Sequence, residues 1–168
     1  AAVPVVLVAM EFDAGYAADP VGKAGLQNLM ASLLDEGTKT MNSRELAEAR
    51  ERLGAGIVID PSLDRTTATL SALEPNLAPS LDLMADIIKN PAFEPSEIER
   101  LRAQQLAGIA SELTQPVGIA LRTLPPLLYG EQHPYGTPFT GSGHVEAVKS
   151  LTREDVVTAH QRWIRPDN

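Results

Sequence analysis

The sequence predicts an α+β fold, a mainly antiparallel sheet covered by helices. Three observations lead there. Val5 to Phe12 is an almost unbroken apolar run of strand length. Two further β-prone segments, Ile57 to Asp60 and Thr66 to Leu73, flank a short turn at Pro61 to Asp64 and read as a hairpin, the second being Thr-rich and alternating. Most of the remaining chain carries helical periodicity between helix-capping signals. The order strand, helices, hairpin, helices belongs to helices packed on an antiparallel sheet rather than to repeated βαβ units.

The apolar continuity of Val5 to Phe12 predicts a strand covered on both faces or at the sheet centre. A helix is expected from about Lys23 to Glu36, stopped by Gly37. Asn42 with Glu45 forms a capping box for a second helix, which Gly54 and Gly56 end. Beyond the hairpin, Asn76 to Lys89 places Leu77, Leu81, Met84, Ile87 and Ile88 on one face and stops at Asn90 and Pro91. Glu94 and Pro95 open a long helix to about Leu113, because proline is tolerated in a first turn. Val117 to Leu128 should be helical but irregular near Pro125 and Pro126. Thr152 with Asp155 caps a last helix that ends before Pro166. No internal repeat or low-complexity tract interrupts this order.

A chain of 168 residues suits one domain. Chains of about 150 residues bury roughly 68–70% of their unfolded surface, so neither a disulfide nor a metal is needed for stability. Cysteine is absent, which removes thiolate catalysis, cysteine-ligated metals and disulfides while leaving the compartment open. The net charge of −8 argues against nucleic acid or an anionic membrane surface as a partner. It is compatible with cationic peptides and, more simply, with solubility. The opening AAVPVVLVAMEF is too short to span a bilayer and lacks a basic leader, so a buried strand suits it better and no membrane insertion is expected.

The most informative stretch is GLQNLMASLLDEGT, Gly25 to Thr38. Leu26, Leu29, Met30, Leu33 and Leu34 recur at i, i+3, i+4, i+7 and i+8, one apolar stripe that should pack on a core. Asn28, Ala31 and Ser32 share the opposite face and are expected to look into a cavity, a partner or water. Positions 28 and 32 lie one turn apart, the spacing at which two histidines grip a zinc ion beside a glutamate base.

This segment resembles the pitrilysin, insulinase and mitochondrial processing peptidase family, whose inverted zinc motif HxxEH sits in a segment close to GxAHFLEHMLFKGT. Gly25, Leu34, Gly37 and Thr38 match that pattern, whereas the HxxEH positions read Asn28, Leu29, Met30, Ala31 and Ser32. FDAGYAADPVGKAG, NPAFEPSEIERLRAQ, YGEQHPYGTP and WIRPDN resemble, in order, the family's entry to the motif helix, the start of its long helix, its HPYG turn and its WYxPxN exit. The family's third ligand, a glutamate on the long helix, would fall near Ala107 to Ile109, where no carboxylate stands. The resemblance also implies that both ends are cut from a longer chain.

Other candidate chemistry is weak. His133, His144 and His160 have no metal-ligand spacing, and His133 is expected to anchor the HPYG turn by hydrogen bonding. Asp35 with Glu36, Glu97 with Glu99 and Glu154 with Asp155 sit at helix ends, where carboxylates complement the dipole or stay solvated. Ser32 has no base on its helix and makes a poor nucleophile. Gly141, Ser142 and Gly143 are too short a signal for phosphate binding and are expected as a flexible, chamber-lining loop. Neutral amide and hydroxyl oxygens at positions 28 and 32 are poor zinc ligands, and Ala31 supplies no general base.

The resemblance therefore implies a non-catalytic domain, with no zinc of its own, that completes a chamber for an extended peptide beside a catalytic pitrilysin-like domain or subunit. Zinc is expected only in that catalytic half, and a periplasmic or cell-envelope location is suggested by the bacterial relatives. The alternative is a purely structural subunit resembling respiratory-complex core proteins.

Overall fold

The computed structural model describes residues 4–168. Three strands, β1 (Val5–Phe12), β2 (Gly56–Pro61) and β3 (Thr66–Leu73), form an antiparallel sheet in the order β1-β3-β2. Seven helices accompany it among the described residues: α1 (Leu26–Leu33), α2 (Ser43–Leu53), α3 (Leu77–Lys89), α4 (Pro95–Glu112), α5 (Pro116–Tyr129), α6 (Val145–Ser150) and α7 (Arg153–Trp163). Ala1 to Val3 of the apolar opening lie outside the described residues.

β3 follows its alternation closely. Thr66, Ala68, Leu70 and Ala72 are buried, while Thr67, Thr69 and Ser71 face outward. The inner face meets α3, while α1 packs on the neighbouring β2, whose Ile57 is buried beside Leu70. Among the described residues β1 pairs only with β3, which makes it an edge strand rather than a central or doubly covered one. Leu7 is 71% exposed on its outer face, while Phe12 closes the core at its end. A continuous apolar run does not by itself distinguish a covered strand from an edge strand.

Two of the helix starts are set by capping boxes. The Asn42 side chain accepts from Glu45 N at 3.0 Å, and Asn42 N donates to the Glu45 carboxylate at 2.9 Å. Thr152 and Asp155 repeat the arrangement at α7. Gly54, at φ 61°, ends α2 in the left-handed conformation. α1 is shorter than its apolar spacing suggests. Gly25, at φ 100°, cannot continue a helix backward to Lys23, and beyond Leu33 the chain closes with the i→i−3 bond Glu36 N to Leu33 O.

In α3 the buried face is turned from the expected one. Ser80, Leu83, Met84, Ile87 and Ile88 are buried, whereas Leu81 remains 38% exposed. α5 runs without a break through Pro125 and Pro126, against the expected irregularity. Pro125 cannot donate to the carbonyl of Leu121, and that oxygen instead accepts from Phe139 N at 2.9 Å. A donor from the following loop thus replaces the missing helical one.

Candidate functional site: the outer face of the motif helix

The apolar stripe of α1 is buried as its spacing requires. Leu26, Leu29, Met30, Leu33 and Leu34 are each at most 3% exposed, and α1 packs on α4 and α7. Its first turn is capped from upstream, where the Asp19 carboxylate accepts from Gly25 N at 2.7 Å and Gln27 N at 2.8 Å. Burial pushes the Asp19 carboxyl up to about 7, against the lowering effect of the Gln27, Gly25 and Leu26 backbone N–H groups.

The opposite face is divided. Ser32 is exposed and Asn28 half-buried, but Ala31 has no exposed surface. The expectation that all three look outward is therefore corrected at Ala31, which lies between the two faces and is sealed by the packing around α1. On α4, Ala107 and Gly108 are exposed and Ile109 is fully buried. An amide, a methyl and a hydroxyl on α1, with no carboxylate at 107 to 109, do not fit zinc. Zn²⁺ wants imidazole, thiolate or carboxylate donors, and activation of water wants a base beside them.

Gly141, Ser142 and Gly143 form a buried junction rather than a flexible open loop. The Gln105 side-chain amide on α4 donates to Gly25 O at 3.0 Å and Ser142 O at 2.8 Å. Arg122 on α5 donates to Glu112 at 2.8 Å, Ser142 Oγ at 2.7 Å and Gly143 O at 2.6 Å. Gly143, at φ 77°, lies against the Ala24 carbonyl, where a Cβ would stand 2.1 Å from its oxygen. The three residues thus hold the start of α1 to α4 and α5.

The histidines are dispersed. His133 Nδ1 accepts from Tyr135 N at 3.0 Å, which anchors the HPYG turn as expected, and Tyr135 reaches Asp64 at 2.7 Å. His160 Nε2 bonds Ile88 O at 2.7 Å, and its ring meets Phe93 edge-on at 5.5 Å. Burial lowers the pKa of both His144 and His160. A cleft of about 180 Å³ brings His133 and His144 to one lining with Tyr16, Asp19 and Glu131. Among the described residues, however, no group of three or more His, Cys, Asp or Glu side chains is placed to hold a metal ion. No helix among the described residues is long and apolar enough to cross a membrane.

Several residues that shape this region were missed by sequence reasoning. Asp19 was detectable as an acidic residue just upstream of a Gly-led helix. Gln105, Glu112 and Arg122 carry no local signal, since their partners lie on other elements. Gln27 is fully buried, and neither its amide oxygen nor its nitrogen has a hydrogen-bond partner among the described residues.

The chain is similar to several known proteins. The family model of insulinase (peptidase family M16) matches residues 2–129, and the chain belongs to that family. It is 23% identical over 155 residues to the "non-peptidase homolog YmxG" of Helicobacter pylori, covering 91% of this chain and 35% of that protein. It is 26% identical over 155 residues to bovine cytochrome b-c1 complex subunit 1, covering 91% of this chain and 31% of that one. Among solved structures, a peptidase M16 inactive domain from Pseudomonas fluorescens superposes with a TM-score of 0.87 at 26% identity, over 94% of this chain and 38% of that one. The chain spans about a third of the length of these curated relatives.

Proposed function

We propose that this chain is a non-catalytic pitrilysin-like domain that completes a peptide-binding chamber for a zinc-bearing half supplied elsewhere in the polypeptide or by a partner subunit. The carrying observation is the pairing of an intact buried stripe on α1 with Asn28, Ala31 and Ser32 at the positions of the ligands and base. The helix has kept its structural work and none of its chemical donors. Similarity to an M16 inactive domain and to a non-peptidase homolog supports the reading. In it, zinc belongs to the catalytic half, an extended peptide is the substrate, and the cell envelope is the setting.

The test is direct. The purified chain should hold far less than stoichiometric zinc and turn over no peptide, while the full-length protein with its partners should show chelator-sensitive hydrolysis. Stoichiometric metal with turnover by this chain alone would sink the proposal. A second reading, a structural subunit without any protease, is supported by the similarity to cytochrome b-c1 complex subunit 1. An intact HxxEH elsewhere in the gene or its neighbour separates the two.

A further inference from the structure

α5 presents an apolar surface that nothing among the described residues covers. Val117, Leu121, Leu124 and Leu128 are spaced by four, three and four residues, the d-a-d-a order of a coiled-coil seam. They are respectively 71%, 39%, 50% and 70% exposed. Ala120 and Leu127 flank the seam, and Leu127 is 80% exposed. The one charged side chain of the helix, Arg122, is turned inward, its guanidinium held by Glu112, Ser142 and Gly143. The outer arc of α5 therefore has no charge to keep it in water, which is unusual for a free helix face.

The pattern specifies its own cover. Seam residues at alternating spacings of three and four match the knobs of another helix rather than a strand or a lipid surface. The seam is about 17 Å long at 1.5 Å per residue, too short alone for a free dimer, which buries about 800 Å² and 20–30 residues per partner. Two copies each carrying −8 would also repel one another. A seam of this size does suffice as part of a contact between halves already held together, where effective concentration replaces area. The curated relatives, of which this chain covers 31–35%, have that additional polypeptide.

We propose that the Val117, Leu121, Leu124 and Leu128 seam is the docking face for an uncharged, leucine- and valine-rich helix of the paired half. This rests on the paired-chamber reading above and locates its contact. The chain has no cysteine, so single reporters at Leu124→Cys and Leu128→Cys can be followed in the full-length protein by an uncharged maleimide and peptide mass. Val21→Cys serves as the open control, since Val21 is 85% exposed and lies in the loop before α1 rather than on α5.

Labelling at 124 and 128 should be slower than at 21 by about tenfold or more, the behaviour of a face reached only through local opening. Adding Leu124→Glu should return position 128 to the rate of the control, without changing the melting temperature of the 168-residue chain. Equal rates at 21, 124 and 128 in a full-length protein that does hydrolyse peptide would overturn the docking face while leaving the chamber reading intact. A full-length assembly without zinc or hydrolysis would instead remove the chamber reading. Concentration-dependent protection in the 168-residue chain alone would overturn the proposal in favour of a second copy.

Discussion

Replacing Gln27 by leucine should make the protein more stable. Gln27 is buried between α1 and α7, and both polar atoms of its amide are without partners. A buried amide without hydrogen bonds forfeits about 1–3 kcal/mol of solvation, and an apolar side chain of similar shape does not. Leucine at 27 would also meet Leu26, Ala159 and Trp163 around a cleft of about 110 Å³, so little repacking is required. The gain is therefore about 1–3 kcal/mol. At roughly 2–4 °C per kcal/mol for a chain of this size, the melting temperature should rise by about 2–12 °C. Urea unfolding followed by circular dichroism should show a higher midpoint with an unchanged slope, which places the change in the native state. A loss of more than about 1 kcal/mol would refute the reasoning, because it would mean that the amide is hydrogen-bonded in solution, for instance to water in the adjoining cleft.

Four further outcomes follow from the same geometry. Ala31→Glu should cost on the order of 3 kcal/mol in urea unfolding, because it places a carboxylate where Ala31 has no exposed surface, while Ser32→His on the exposed side should stay within about 0.5 kcal/mol. Gly143→Ala should destabilise by at least about 1–3 kcal/mol, since φ is 77° and the new Cβ would collide with the Ala24 carbonyl. Asp19 titrates near 7 when folded and near 3.8 when unfolded, so between those values the folded state holds the extra proton and stability falls as pH rises. Relative to Asp19→Asn, the wild-type unfolding free energy from urea titrations should decline from pH 4.5 to 7, by no more than about 1.4 kcal/mol per pH unit; a flat difference would refute it. Ser80→Ala should be neutral or stabilising by up to about 1 kcal/mol in the same assay, since the buried Ser80 hydroxyl also lacks a partner.

What was legible in the sequence was local. The alternation of Thr66 to Leu73, the boxes at Asn42 and Thr152, and the i, i+3, i+4 stripe of α1 each encode their outcome within a few residues. What was not legible depends on distant partners. The edge position of β1 is decided by which strands pair with β3. The burial of Gly141 to Gly143 is decided by Gln105 and Arg122 on two helices. The continuity of α5 through two prolines depends on a donor at Phe139, beyond the helix. At the site itself, the apolar stripe and the identities of Asn28, Ala31 and Ser32 could be read from the sequence, but the sealing of Ala31 could not, because helical spacing gives direction and not what stands in that direction.

That sealing bears on the history of the chain as well as on its chemistry. With a histidine regained at 28 or 32 the helix would still be tolerated, since Asn28 is half-buried and Ser32 is open. A glutamate regained at 31 would have to enter a closed interior before it could find either a metal or water. On the reading proposed above, building a hydrolase site here is thus not three independent steps, because the step at 31 is unfavourable until its neighbours have moved. A base at position 31 would, on that reading, require α1 to repack against α4 and α7, and the positions open to change without repacking are those on the outer face of the helix.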